Sequence, residues 1–397
     1  MDNGNIKYTV LMKYGEIVLK GLNRGIFEAN LLTNVKRRLH KSGFGKFDIR
    51  CAQSTMFITP LEDVQIEELT EVLRKIFGFT AMCVAARTEK EMPAIYEVCL
   101  AFDDQIMGAS SFKVEAKRAD KKFSLNSMEI MYELGGYILE KYPHIKVDVH
   151  NPEITINVEI REFGAYVHLG RQQAAGGLPT GTAGKAALLI SGGIDSPVAA
   201  HMIAKRGVQL TAIHFESPPY TNERAKDKVL KLLKIVSEYA GQMDTYIVPF
   251  TGIQEKIRDY SHTDYFTLLM RRYMMKMAER IAVENGCQAL VTGESLAQVA
   301  SQTMTSLAVT DSAVNMPVFR PLIGMDKEEI IKRAREIDTF ETSILPYEDC
   351  CTIFTPKHPC TKPKLQFVEK LEAELMMEEE IDRAIAAAEK LHIRFEG

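Results

Sequence analysis

The sequence predicts small α+β units over residues 1–171, followed by an α/β domain built on a parallel sheet. Three observations lead there. Before residue 171, short strands and helices mix without a regular βα repeat. From residue 186 onward, strands alternate with helices of ten residues or more, the pattern of a parallel sheet covered on both faces. Between them, residues 172–185 (QQAAGGLPTGTAGK) carry four glycines and no large apolar residue except Leu178, which reads as a linker.

The elements follow from local pattern. A strand is expected in YTVLMKYG, then a helix over 26–41 with Phe27, Leu31, Leu32, Val35 and Leu39 on its apolar stripe, then strand structure in FDIRCAQSTMFITP. Residues 64–77 predict an amphipathic helix with Ile66, Leu69, Val72, Leu73 and Ile76 inward. Strands are expected at 81–86, 112–117, 145–150, 154–160 and 165–169, with a helix at 127–141. In the second region, strands are expected at 186–190, 208–215, 244–249 and 289–292. Helices are expected at 196–206, 223–240, 264–285 and 326–337, and the acidic stretch 367–391 is helical in pattern.

With 397 residues, two or three domains are expected, and 46% hydrophobic residues suffice for real cores. The start, MDNGNIKYTV, lacks the apolar run of a signal peptide, and no stretch of about 18 apolar residues suggests a membrane span. Seven scattered cysteines point to reduced thiols and a cytoplasmic protein rather than a disulfide framework. A net charge of −4 excludes a wholly basic nucleic-acid binder. Local clusters remain: Lys36, Arg37, Arg38 and Lys41, and then Lys113, Lys117, Arg118, Lys121 and Lys122. Together they favour a polyanionic partner for the N-terminal part, the second cluster supplying phosphate contacts and nearby Phe112 and Phe123 offering rings for base stacking.

The run AALLISGGIDSPV carries the most chemistry. A strand at 186–190 enters Ser191-Gly192-Gly193-Ile194-Asp195-Ser196, and a helix is expected to start with Ser196 as its cap and Pro197 at the first position. Strand, glycine turn and helix N-terminus form an anion cradle, where free N–H groups and the positive helix end converge. No lysine lies in the loop, so it is not of the GxxxxGK[ST] kind. Ligands of parallel sheets sit beyond the strand C-termini, which places His214-Phe215 and Thr292-Gly293-Glu294-Ser295 on the same rim. Arg271 and Arg272 follow an apolar helical run and present either surface charge or a guanidinium for phosphate.

The cysteines divide by context. Cys51, Cys83, Cys99 and Cys287 read as inert packing. Cys350 and Cys351 lie in a proline-rich loop, PYEDCCTIFTPKHPC, with Cys360, Lys357 and His358 close in sequence. A sulfur-handling nucleophile is the favoured reading, with the bases favouring the thiolate. A metal or iron–sulfur site is the alternative, though there is no CxxC pair and adjacent cysteines suit tetrahedral ligation poorly.

SGGxDS resembles the loop of enzymes that split ATP between the α- and β-phosphates. With HFESPPYTNERAKDKV, TGESLAQVASQT, RPLIGMDKEEII and PYEDCCTIFTPK, the chain resembles the tRNA 4-thiouridine synthases, also called tRNA uracil 4-sulfurtransferases. YGEIVLKGLNRGIFEANL is similar to that family's ferredoxin-like segment and FKVEAKRADKKF to its THUMP segment, so the resemblance covers nearly the whole chain. It implies a ferredoxin-like domain over 1–59, a THUMP RNA-binding domain over 60–171 and a PP-loop ATP pyrophosphatase domain over 172–397. ATP with Mg²⁺ would adenylate uridine 8 of tRNA, and a cysteine persulfide would then deliver sulfur. By resemblance, Ser191, Gly192, Gly193, Asp195 and Ser196 hold the pyrophosphate. Leu189, Ile190, His214, Phe215, Arg271, Gly293 and Gln302 bind the nucleotide, and Cys350 handles sulfur. Some members carry a C-terminal rhodanese domain. This chain leaves no room for one after Gly397, so sulfur is expected directly from a cysteine desulfurase or from free sulfide. The family's link to thiamine synthesis is tied to that domain, which weakens it here. A homodimer is a further expectation. The competing functions are an adenylating amide ligase and a tRNA binder with a decayed nucleotide site.

Overall fold

The computed structural model describes residues 6–260, 263–347, 350, 353–354 and 356–395. The chain divides into two compact units, Met1–Glu28 with Val35–Gly177 and Ala29–Asn34 with Leu178–Gly397.

The first unit is organised on one sheet. Its strands are β1 (Lys7–Tyr14), β2 (Phe47–Ala52), β3 (Thr55–Pro60), β4 (Phe79–Thr88), β5 (Ser111–Arg118), β6 (Lys146–Val147), β7 (Ile154–Arg161), β8 (Gly164–His168) and β9 (Gln172–Gln173). The order is β2-β3-β1-β4-β8-β7-β5-β6, with β9 added to β4. The helices are α1 (Arg24–Lys41), α2 (Ile66–Arg74), α3 (Met92–Cys99), α4 (Asp103–Gly108) and α5 (Ser127–Lys141). The stretch FDIRCAQSTMFITP is a β2–β3 hairpin whose two turn residues, Gln53 and Ser54, both take positive φ, as the twist of such a turn demands. Helices α3 and α4 were not anticipated, because their short apolar runs lack a full amphipathic period. Charge is also buried here. Glu159 accepts from Lys13 Nζ at 2.7 Å and Arg161 Nε at 2.8 Å, and its carboxylate lies 3.5 Å from His168 Nε2.

Several sequence expectations change in this unit. Phe112 and Phe123 are core residues, 0% and 9% exposed, so neither ring is available for stacking on a base. Arg118 turns inward and donates to the Phe123 and Leu125 carbonyls at 3.1 and 3.3 Å. Lys113 pairs with Glu115, whereas Lys117, Lys121 and Lys122 are exposed. Arg38, read as part of a surface cluster, is buried. Cys51 is exposed on β2 rather than packed inside, while Cys83 and Cys99 are buried.

The second unit has a six-stranded sheet of order β14-β13-β10-β11-β12-β15. Its strands are β10 (Lys185–Leu189), β11 (Gln209–Glu216), β12 (Met243–Pro249), β13 (Ala289–Val291), β14 (Val318–Phe319) and β15 (Glu389–Ile393). All pairings are parallel except β15 on β12. The helices are α6 (Asp195–Ala204), α7 (Glu223–Ala240), α8 (Thr251–Tyr260), α9 (Phe266–Glu284), α10 (Met304–Asp311), α11 (Lys327–Glu336), α12 (Phe340–Ser343), α13 (Leu365–Leu375) and α14 (Glu378–Ala386). The acidic C-terminal stretch is therefore not one helix. It breaks at Met376, where φ is 44°, and ends in a strand whose last residue, Ile393, is buried. Among the described residues no helix is long and apolar enough to cross a membrane.

The stretch 172–185 is no free linker. Its first half is bonded into the first unit, with Gly176 N donating to Phe79 O at 2.7 Å and Ala175 N to Arg74 O at 2.8 Å. Its second half belongs to the second unit, where Leu178 N donates to Lys205 O at 2.9 Å and Gly181 N to Gly207 O at 2.8 Å. Glycine composition marked the turns, at Gly176, Gly177, Gly181 and Gly184 with positive φ, and not a lack of structure.

Candidate active site

The parallel sheet places the site. From β10 the chain winds to β11 and β12 on one side, while β13 and β14 lie on the other. The ends of β10, β11 and β13 thus open at a reversal of strand order, where such sheets bind ligands. The β10 and β11 ends are tied together, Ile190 N donating to Ile213 O at 2.9 Å and His214 Nδ1 lying 3.1 Å from Ile190 O.

The 191–196 loop closes on its own serines. Ser196 Oγ accepts from Ser191 N at 3.0 Å and donates to Ser191 O at 3.1 Å, and the two hydroxyls are 3.2 Å apart. This corrects the expected cap. Helix α6 begins at Asp195 with no side-chain cap, because the Ser196 hydroxyl folds back onto the loop instead of onto the first turn. The first-turn N–H groups of α6 are consequently left for a ligand. Glycine at 293 is a packing requirement: a Cβ there would come within 2.7 Å of Ser196 N, so the end of β13 presses directly on the helix start.

One cavity is lined by Leu189, Ile190, Ser191, Gly193, Asp195, Ser196, His214, Phe215, Arg271, Gly293, Gln302 and Cys350. Every residue assigned above to nucleotide or sulfur is in that set except Gly192. The cavity also takes in Met274, Met275, Thr292 and Glu294. The methionines escaped notice because, in the buried α9, they have the same pattern as core residues.

Charge in the site is ordered by two clusters. Glu294, 3% exposed, carries both Arg271 and Arg320, the latter through Nε at 2.7 Å, and accepts from Thr292 Oγ1 at 2.8 Å. Asp195 accepts from Gln298 Nε2 at 2.9 Å and from Lys327 Nζ at 2.6 Å. The loop sequence has no lysine, yet the fold supplies one from the first position of α11, 132 residues away. Its local signal was the capping box Asp326/Glu329, which announces a helix start and nothing about where that start points. Arg272, the neighbour of Arg271, is buried in a separate bond set with Glu372 and Ser312 and is structural.

Cys350 is 4% exposed and lies against the cavity, whereas Lys357 and His358 are exposed. Cys360 is half-buried. Its hydrogen bond with the Tyr265 hydroxyl, followed by burial, pushes the tyrosine up to about 12. Cys351 falls outside the described residues. Among the described residues there is no cluster of three or more metal-ligating side chains.

The chain matches the Thiamine biosynthesis protein (ThiI) family over residues 181–377, the THUMP domain over 89–169 and the ThiI ferredoxin-like domain over 9–83. It is 49% identical over 392 residues to a probable tRNA sulfurtransferase of Acetivibrio thermocellus, covering 98% of this chain and 99% of that one. It is 50% identical over 369 residues to a probable tRNA sulfurtransferase of Thermoanaerobacter sp., covering 93% and 95%. A crystal structure of a 4-thiouridine synthetase–RNA complex with bound ATP superposes with a TM-score of 0.90 at 35% identity, over 98% of this chain and 100% of that one. PH1313 from Pyrococcus horikoshii shares the fold, with a TM-score of 0.65 at 22% identity over 83% and 99%. A serine-closed phosphate loop joined on one cavity by arginine, glutamine and cysteine, in a chain matched over nearly its full length, places this protein in the tRNA sulfurtransferase (ThiI) family.

Proposed function

We propose that this chain converts uridine 8 of tRNA to 4-thiouridine, with ATP consumed to AMP and pyrophosphate. The observation that carries the reading is the sharing of one cavity by the 191–196 loop and Cys350. In the first step O4 of the uridine attacks the α-phosphorus, and the α–β bond breaks. Loop N–H groups and the Ser191 and Ser196 hydroxyls would take the departing pyrophosphate, with the Lys327 ammonium beside them on Asp195. Gln302 is 8% exposed, and its side-chain oxygen has no hydrogen-bond partner among the described residues, which offers an acceptor for the adenine amino group. Arg271, held by Glu294, faces the same cavity. Asp195 is the carboxylate that would hold Mg²⁺, a cation that commonly uses one or two carboxylates together with substrate phosphates and neutralises their charge when bound.

In the second step the terminal sulfur of a Cys350 persulfide attacks C4, and AMP leaves with the O4 oxygen. The product is joined to Cys350 through an S–S bond. A second thiol, of the protein or a small molecule, cleaves it, releasing 4-thiouridine and leaving a disulfide that an external reductant restores. A cysteine desulfurase is the proposed sulfur source. Lys117, Lys121 and Lys122 are the exposed members of the cluster proposed for tRNA phosphates, with Lys113 and Arg118 held in internal bonds. Cytoplasmic location and a homodimer belong to the same proposal, as does the division into ferredoxin-like, THUMP and PP-loop domains near 1–59, 60–171 and 172–397.

The test is incubation with ATP, unmodified tRNA and either desulfurase plus cysteine or sodium sulfide, followed by digestion of the tRNA. Asp195→Ala is expected to abolish tRNA-dependent pyrophosphate release while tRNA affinity persists, and near-normal turnover would refute the assignment. Cys350→Ser is expected to keep pyrophosphate release and to lose 4-thiouridine when the desulfurase is the donor. Wild-type thiolation in that variant would remove Cys350 from the mechanism.

A further inference from the structure

Two buried polar side chains grip the backbone around Cys350. Lys228, on α7, is 6% exposed, and its ammonium donates to the carbonyls of Leu345 at 2.8 Å and Tyr347 at 3.4 Å. Gln254, on α8, is fully buried, and its amide N–H donates to the Cys350 carbonyl at 2.9 Å. The other end of that amide accepts from the Ser217 hydroxyl at 2.5 Å, and the same nitrogen reaches Met270 Sδ at 3.3 Å. Ser217 follows the β11 end that carries Phe215, and Met270 precedes Arg271 on α9. Gln254 therefore ties the cysteine backbone to two elements that wall the nucleotide cavity.

Buried lysine is rare because desolvating an ammonium is costly, and loop carbonyls are ordinarily satisfied by water. Here the ammonium is bound to the segment that leads into Cys350, the residue that lines the site. A cysteine has a single side-chain rotor, so the position of its sulfur follows from where its backbone is held. Attack on a carbon of the substrate requires the sulfur within about 3–3.5 Å and in line, and a 1 Å error costs roughly 10²-fold.

We propose that Lys228 and Gln254 are positioning residues for sulfur transfer, holding the Cys350 backbone so that its thiol is presented to the nucleotide cavity. This rests on the reading of Cys350 as the sulfur carrier. Neither residue lines the cavity, so the adenylation half is expected to be independent of them.

The experiment compares Lys228→Met and Gln254→Met with the wild-type full-length protein in two assays: tRNA-dependent pyrophosphate release, and 4-thiouridine formation with desulfurase plus cysteine. The expected result is pyrophosphate release within about twofold of wild type and thiolation lowered about tenfold or more, from the sensitivity to misplacement. Lys228→Arg, which keeps a cationic donor, is expected to restore most of the thiolation. With sodium sulfide as donor, both Met variants are expected to match wild type, because no protein sulfur has to be placed. Should a Met variant not fold, Ser217→Ala releases one end of Gln254 without burying a new group and is expected to show a weaker form of the same split. Equal loss in both assays would overturn the proposal and make the two residues merely structural, and full thiolation in all variants would overturn it as well. Cys350→Ser run alongside separates the levels: if it thiolates normally, the carrier reading falls and takes this one with it. If it is inactive while the Met variants thiolate fully, the positioning role alone fails.

Discussion

Glu159 in the first unit and Glu294 in the second are both buried carboxylates that carry two or more cations, and only one of them opens on a cavity. Glu159 sits on β7 among Lys13, Arg161 and His168, with its side chain 3% exposed and those of Arg161 and His168 2% and 0%. Burial pushes the Glu159 carboxyl up. Bonds and charges from His168, Lys13 and Arg161 outweigh that and hold it well below the usual carboxylate range. Glu294 carries Arg271 and Arg320, but Arg271 is 22% exposed and turned to the cavity. The residue types are the same. What differs is that Arg271 lines a cavity, whereas Arg161 and His168 are buried beside Glu159. The first cluster joins β1, β7 and β8, and the second sets Arg271 at the wall of the cavity, which is what the proposed nucleotide role requires.

The largest effect is expected at the first cluster. Glu159→Ala leaves Lys13 and Arg161 buried without their shared anion, which should destabilise the first unit by about 3–5 kcal/mol. Urea unfolding followed by probes in each unit checks this, since two units need not unfold together. The KM for ATP should not change in molecules that remain folded. A shifted KM with little loss of stability would erase the contrast with Glu294.

Glu294→Gln is expected to act in the opposite sense. The amide retains one acceptor but cannot balance two guanidiniums, so Arg271 loses its anchor. Loss of one charged hydrogen bond, about 1.5–3 kcal/mol, predicts a KM for ATP raised roughly tenfold or more. If only the unfolding midpoint moves, Glu294 is as structural as Glu159.

The exposed lysines give a third, smaller test. Replacing Lys117, Lys121 and Lys122 with Gln should lower the salt slope of tRNA binding by up to about 2–3 units, at about 0.9 per duplex phosphate contact or 0.7 per single-strand contact. Replacing Arg118 as well should cost stability without further change in slope, because its guanidinium is committed to loop carbonyls. An unchanged slope in the triple variant would mean that the patch faces solvent.

The smallest effect is a pH dependence confined to the first unit. Burial lowers the His168 pKa, but the adjacent Cys83 and the Glu159 carboxylate 3.5 Å away more than compensate and raise it to about 8. A histidine with a raised folded-state pKa stabilises fully below its unfolded value near 6.5, and that contribution is lost as pH climbs through 8. The first unit should therefore lose up to about 2 kcal/mol over this window, with acid loss from Glu159 appearing only at low pH. In His168→Gln the alkaline fall should flatten. A fall of the same size in that variant would assign it to other groups.

Much of this protein was written in local pattern. The βα alternation, the strand–SGGIDS–helix junction and the 223–240 helix are set by interactions within a few residues, namely period, turn chemistry and caps, and these were readable along the chain. The rim holding His214, Phe215, Thr292, Gly293 and Glu294 was also readable, because a parallel sheet brings its strand C-termini to one edge whatever the side chains are. Other features required the packed molecule. Ser196 looked like a cap and proved to be a loop closure, since both roles use one hydroxyl and only the geometry of the loop chooses between them. Phe112 and Phe123 looked available to bases and proved to be core, because the face a strand or loop buries depends on what lies across it. Lys327 meeting Asp195, and Lys228 and Gln254 meeting the backbone around Cys350, join residues about 100 or more positions apart. Local periodicity holds no information about such pairings. They arise when strands and helices reach their places in the sheet, and burial then makes each polar group find the partner that the fold has put beside it.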